Sequence, residues 1–326
     1  MNDSTLPAID EHFVREARAR LDRLTKPAGS LGRLEDLAAW MCGWQQTVTP
    51  TTERAHTLIF AGNHGVVAQG VSAFPAAVTA QMVANFEAGG AAISQLCRAI
   101  PSALKVTALS LDTPTQDFTT GPAMNREECE AAFAAGQQAV PEDADIIVLG
   151  EMGIGNTTPA AAIAAFLGGG EASGWVGRGT GIDDAAKKHK AAVVEKALAL
   201  HRPHIRSSME LLARLGGREL AAVAGAIGQA RAQRIPVLLD GYVATAAAAA
   251  LTLDHKDALA HTQSGHASAE PGHQKLLALL GLEPILNLGM RLGEASGAQL
   301  ALGIVRAALA CYNGMATFDS AGVSNR

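Results

Sequence analysis

Aromatic side chains are scarce: three Trp, two Tyr and eight Phe make up 4% of the 326 residues. That is too few large rings for a β-sandwich core, whereas abundant alanine and 34 glycines suit helices packed tightly over a sheet. A basic surface is also missing, because 31 acidic residues outnumber 26 basic ones, giving a formal net charge of −5 and an isoelectric point near 6.1. Nucleic acid and anionic lipid are therefore disfavoured as partners, and a small molecule is expected instead. The four cysteines, Cys42, Cys97, Cys129 and Cys311, form no Cys-x-x-Cys pair and no zinc spacing, which fits free thiols in a reducing cytoplasm. The first dozen residues lack the basic start and apolar core of a signal peptide. No uninterrupted apolar run approaches the ~18 residues of a membrane span.

What the chain does have is a series of apolar runs that end in glycine. Ile146-Ile-Val-Leu-Gly-Glu-Met-Gly-Ile-Gly-Asn-Thr-Thr158 reads as strand, tight turn and helix, with Ile146 to Leu149 as the strand. Thr158, Pro159 and the alanines after them fit N-cap, first helical position and helix body. Gly150, Gly153 and Gly155 clear space for a ligand beside the backbone, and the free N–H groups of the helix start favour an anion such as phosphate. Glu151 beside an anion is better suited to sugar hydroxyls. A plain strand-to-helix connection is the structural alternative. A dinucleotide fingerprint is incomplete here, because Thr158 stands where Gly or Ala is needed, and no Walker-type Gly-Lys-Ser/Thr occurs.

Elsewhere, Asp10 to Leu24 has the apolar spacing of an amphipathic helix. The following Lys26-Pro-Ala-Gly-Ser-Leu-Gly-Arg-Leu-Glu35 breaks it and carries a Lys and an Arg that could hold an anion or simply face solvent. Thr57 to Phe60 reads as a strand leading to Asn63-His64, and a helix is expected from Ala76 to Ala88 after Phe74, a ring able to wall a pocket or fill the core. Lys105 to Leu111 reads as a strand and Glu127 to Val140 as a helix. Lys187, Lys188 and Lys190 form a solvated face from which one lysine could reach a phosphate. Pro236 to Leu239 is a buried strand ending in Asp240, and Ala298 to Met315 is a helix. His266, Glu270 and His273 hint at a metal, but Pro271 breaks the helix on which a His-Glu-x-x-His site depends, so no metal is expected. Arg291 and Glu294, in glycine-punctuated apolar surroundings, form either a structural ion pair or part of a site.

Several segments, in order along nearly the whole chain, together resemble one family: Lys26-Pro-Ala-Gly-Ser-Leu-Gly-Arg-Leu-Glu35, Phe60-Ala-Gly-Asn-His-Gly-Val66, Gly150-Glu-Met-Gly-Ile-Gly-Asn-Thr-Thr158, Leu239-Asp-Gly241, Gly265-His-Ala-Ser-Ala-Glu-Pro271 and Met290-Arg-Leu-Gly-Glu294. They are similar to the nicotinate-nucleotide:dimethylbenzimidazole phosphoribosyltransferases. The resemblance implies transfer of phosphoribose from nicotinate mononucleotide to 5,6-dimethylbenzimidazole in cobalamin lower-loop synthesis, without a cofactor. It implies a homodimer and an α/β fold with a Rossmann-like three-layer parallel sheet. In that architecture residues 50–290 form the large domain, and 1–49 with 291–326 form a small helical domain built from both termini. It further implies Glu294 as catalytic base, Glu151 at the ribose, and the Gly153 turn with Lys190 at the phosphate. Phe74, Ile154, Ser268 and Leu292 are then expected near the substrates. Asn63 stands where many members of the family have Asp.

Two other classes remain as alternatives. An NAD-dependent oxidoreductase needs the dinucleotide fingerprint that is missing, and a non-catalytic nucleotide-binding regulator needs no acid such as Glu294 in an apolar pocket. A transferase using a pyrophosphate donor would want Mg²⁺ and adjacent acids closing an apolar strand, and no such pair is present.

Overall fold

The computed structural model describes residues 6–179 and 181–324. Six strands, β1 (Ala55–Ala61), β2 (Ala103–Ala108), β3 (Ile146–Met152), β4 (Val237–Leu239), β5 (Thr262–His266) and β6 (Pro284–Leu286), pair in parallel in the order β2-β1-β3-β4-β5-β6. In chain order the helices are α1 (Glu11–Leu21), α2 (Arg33–Gln45), α3 (Ala77–Glu87), α4 (Ala92–Ala99), α5 (Arg126–Ala139) and α6 (Thr157–Gly168). They continue with α7 (Asp184–His201), α8 (Ser208–Leu215), α9 (Arg218–Ala232), α10 (Tyr242–Ala250), α11 (Pro271–Leu280) and α12 (Ser296–Gly314).

The strands alternate with period two between two apolar cores. Leu58, Phe60, Ile147 and Leu149 face the cluster built with α5 to α11, and Ile59, Ile146, Val148 and Leu238 face the cluster built with α1, α2, α4 and α12. A sheet covered on both faces needs such continuous apolar strands. The result is the expected three-layer α/β architecture. The chain ends meet in the second layer, where Leu24 and Thr317 form an antiparallel bridge. Small residues set the spacing of the first layer: a Cβ on Gly136 of α5 would lie 1.8 Å from the Ala222 carbonyl oxygen, and one on Gly225 of α9 2.0 Å from that of Phe133. These two helices therefore touch backbone to backbone, which is what an alanine-rich chain permits.

Several boundaries differ from the sequence expectation. β3 continues through Gly150 and Glu151 to Met152, with Phe60 opposite Glu151, so the turn is shorter and α6 starts at Thr157 after Asn156. β5 escaped detection because Thr-Gln-Ser-Gly-His has no apolar run. Its Thr262, Ser264 and His266 are nevertheless buried, with hydroxyls satisfied locally, as in the Thr262 bond to the Leu259 carbonyl at 2.8 Å. β2 begins two residues earlier than the apolar pattern indicates, on an exposed edge. Among the described residues no helix is long and apolar enough to cross a membrane.

Topology positions the site. The chain leaves β1 for β2 on one side and returns to β3 on the other, so the loops after β1 and β3 diverge at the carboxyl edge. That divergence opens the crevice where ligands bind in open parallel sheets.

Candidate active site

A cavity of about 350 Å³ occupies that crevice. Glu151, Met152 and the turn Gly153 to Asn156 form its floor, and Val71, Phe74 and Val78 form one wall. Facing them are Tyr242, His266, Ser268 and Glu270, with Arg291 to Glu294 closing the rim. The structure thus brings Phe74, Glu151, Gly153, Ile154, Ser268, Leu292 and Glu294 around one space from widely separated segments. Lys190 does not line the cavity. It is buried behind the wall residue Thr157, with Nζ donating to Thr157 Oγ1 at 2.6 Å. Gly150 serves packing rather than a ligand, since a Cβ there would stand 2.2 Å from the Ala295 nitrogen.

The turn after β3 turns the start of α6 toward the cavity. Gly155 takes a left-handed φ of 86°, which lets the chain reverse into α6 with Asn156 and Thr157 in the cavity wall. The positive end of the α6 dipole lies there. The Ile154 N–H donates to Thr79 Oγ1 at 3.1 Å, tying the turn to α3. Burial lowers the Lys190 pKa to about 8, against the opposing pull of Glu270, so the ammonium stays charged at neutral pH. Glu270 Oε1 accepts from the Gly179 N–H at 2.9 Å, and Arg291 Nη1 donates to the Gly179 carbonyl at 2.9 Å. Arg291 is thus turned toward Gly179, and among the described residues it forms no ion pair with Glu294, which leaves that carboxyl for other work.

The acids adjoin this turn. Glu151 Oε2 accepts a short hydrogen bond from Asn156 Nδ2. Burial first, then the charges of Asp240 and Glu219, push the Glu151 pKa up to about 8. Burial and Asp240 raise Glu294 to about 7. The backbones of the two acids meet where the Glu294 N–H donates to the Glu151 carbonyl at 3.3 Å.

Other polar residues brace this frame. His64 Nε2 and Glu219 Oε1 lie 2.5 Å apart in full burial, and a Cβ on Gly153 would come within 3.0 Å of that same oxygen. The pair therefore backs the turn after β3, a role for Glu219 that no sequence signal announced, because an acid in the first turn of α9 reads as an ordinary dipole partner. Asn63 Nδ2 donates to the Leu111 carbonyl at 2.9 Å, a bond that requires an amide and that a carboxylate could not make. His273 uses both ring nitrogens, Nδ1 accepting from the Ser268 N–H at 2.9 Å and Nε2 meeting Thr245 Oγ1 at 3.0 Å. It thereby orients Ser268 at the cavity.

A phosphoribosyltransferase family profile matches residues 6–323. A nicotinate-nucleotide–dimethylbenzimidazole phosphoribosyltransferase of Cereibacter sphaeroides is 56% identical over 319 residues, covering 98% of this chain and 94% of that one. Its counterpart in Ruegeria pomeroyi is 58% identical with the same coverage. The chain belongs to this family. A crystal structure of the phosphoribosyltransferase from Thermus thermophilus matches with a TM-score of 0.91 at 38% identity, covering 98% of this chain and 100% of that one. The cavity of this phosphoribosyltransferase family member therefore lies at the switch point of a fold shared over the full chain.

The raised Glu151 pKa has a consequence for stability. Its ordinary value is 4.5 and its folded value about 8, so the folded state binds more protons across that interval and stability falls as pH rises through it. Thermal melts should show the wild-type midpoint dropping from pH 5 to pH 8, and Glu151→Gln dropping distinctly less. Equal drops in the two proteins would contradict a buried, protonated Glu151.

Proposed function

We propose that the enzyme transfers the 5-phosphoribosyl group of nicotinate mononucleotide to 5,6-dimethylbenzimidazole, giving α-ribazole 5′-phosphate and nicotinate for the lower loop of cobalamin. One observation carries the residue assignments: the carboxyl of Glu294, with its pKa lifted to about 7 and bound by no ion pair among the described residues, shares a cavity with the apolar Phe74 and Leu292 and with the first turn of α6.

In this reading the donor phosphate lies against Gly153 to Thr157 with Lys190 as counter-charge, and the ribose hydroxyls reach Glu151. The flat acceptor ring packs between Phe74, Ile154 and Leu292, with Ser268 at its edge. One ring nitrogen of the benzimidazole attacks C1′ from the face opposite nicotinate, and the C1′–N bond to nicotinate breaks with its electron pair left on the pyridine nitrogen. Displacement inverts C1′ from β to α. Bond formation makes the second ring N–H acidic, and Glu294 accepts that proton. The departing pyridinium becomes neutral at nitrogen, so no acid is needed on that side. A mononucleotide donor also has no pyrophosphate to chelate, so the chemistry calls for no metal.

The test is nicotinate release measured alongside calorimetry of each substrate. Glu294→Gln should bind both substrates and lose ~10²-fold or more in turnover, the usual scale for a general base. Near-normal kcat at neutral pH would contradict the assignment. Lys190→Ala should weaken donor binding ~10-fold or more, the scale of a charge-assisted hydrogen bond, while leaving benzimidazole binding intact. Unchanged donor affinity would remove Lys190 from the phosphate site.

The same reading includes a homodimer. Phe74, Leu288 and Leu292 are 49%, 61% and 55% exposed, and a second copy is the natural cover for such apolar surface. Light scattering at micromolar concentration should give about twice the 33.5 kDa chain mass; a monomer would refute the dimer. A cytoplasmic location, in keeping with four free cysteines, and a small helical unit formed by 1–49 with 291–326 beside 50–290 belong to this reading as well. Cell fractionation and limited proteolysis at the two junctions test them.

A further inference from the structure

Glu294 sits on an unusual piece of backbone. Glu294 and Ala295 have consecutive positive φ values of 61° and 62°, a left-handed pair without a glycine that costs free energy unless its surroundings enforce it. Immediately afterwards α12 begins, and its flanking residue Ala295 has no side chain able to cap it. The cap comes from another strand. Asp240, fully buried beyond the end of β4, accepts from the Gly297 N–H at 2.8 Å and the Ala298 N–H at 3.0 Å through the same Oδ1. On the other side Gly150 leaves just enough room for Ala295. The start of α12, and with it the direction of Glu294, is therefore fixed by Asp240 from across the sheet.

The charge of Asp240 acts on the same corner. Its other oxygen, Oδ2, is buried without a hydrogen-bond partner among the described residues. The nearest group able to carry opposite charge is His266, with Nε2 at 3.4 Å. Around it stand Glu151 from β3, Glu294 from the rim and, from α11, His273, which also feels its field. Glu219 on α9 acts on Glu151, Lys190 on α7 is matched with Glu270, and Arg291 is held at Gly179. Among the described residues no lysine or arginine is bonded to Asp240 to quench its charge.

We propose that Asp240 is a positioning residue for Glu294, with two separable roles: its oxygen caps α12 and so imposes the left-handed backbone that aims the base, and its buried negative charge makes that base a stronger proton acceptor. The proposal rests on Glu294 being the base.

Asp240→Asn separates the roles, since the amide oxygen keeps both acceptor bonds and only the charge is lost. A like charge disfavours ionisation, so its removal lets Glu294 ionise at lower pH. In kcat against pH for nicotinate release, the acid limb of D240N should move to lower pH. The ratio of kcat at pH 6 to that at pH 8 should then rise about threefold or more, since each pH unit along the limb changes the ionised fraction about tenfold. Plateau kcat should fall a few-fold, as expected of a weaker base. Asp240→Ser, with a hydroxyl acceptor and no charge, is the second variant and should move the limb in the same direction. An acid limb unmoved in both, with Glu294→Gln inactive, would overturn this proposal and leave Glu294 as the base. Near-normal turnover in Glu294→Gln would overturn both. Failure of both Asp240 variants to fold would also overturn it, because the cap would then be inseparable from the charge.

Discussion

Glu151, Asp240 and Glu294 share one buried corner at the carboxyl edge of the sheet, and little negative charge can reside there at once. Like charges in low dielectric push each other's proton affinities upward, and here Asp240 raises both of its neighbours. The three acids are themselves buried, Asp240 completely, although Glu151 and Glu294 line the cavity. Burial and mutual repulsion thus act together, and the acids are tuned toward neutrality.

The start of α6 beside the acids obeys the complementary rule. In the proposed reading the phosphate meets the start of α6, with Lys190, 2.6 Å from Thr157 Oγ1, as its counter-charge. The His64 and Glu219 pair stiffens that turn from behind, while Arg291 and Glu270 hold Gly179 from two sides. In the proposed reading the anionic end of the mononucleotide faces the start of α6 and its reacting end faces Glu294.

Much of this was legible in the sequence. Short continuous apolar runs announced β1, β3 and β4, and glycines after them marked the carboxyl edge, because a strand buried on both faces constrains residue type. The family resemblance directed attention to Glu294, Glu151 and Lys190, of which the first two line the cavity and Lys190 lies behind Thr157. Three features were not legible. β5 is polar in sequence yet buried in the fold, since its hydroxyls are satisfied by neighbours rather than by water. Gly150 looked like ligand space and instead accommodates Ala295, a contact made across 145 positions of chain (295 − 150). Asp240 read as one more polar strand end, and its cap on α12 depends on two segments that only the sheet order β4-β5 and the placement of α12 bring together. Long-range partnerships of this kind leave no local pattern, so residues such as Glu219 and Asp240 emerge only from coordinates.

The arrangement of an anionic end at α6 and a proton acceptor at Glu294 is tested most directly by a crystal structure with α-ribazole 5′-phosphate bound. The account predicts the phosphate at Thr157 and Lys190, the ribose hydroxyls at Glu151, and the unsubstituted benzimidazole nitrogen within ~3 Å of a Glu294 oxygen, the reach of a hydrogen bond. A product whose free ring nitrogen points away from Glu294, or whose phosphate lies elsewhere in the cavity, would contradict it.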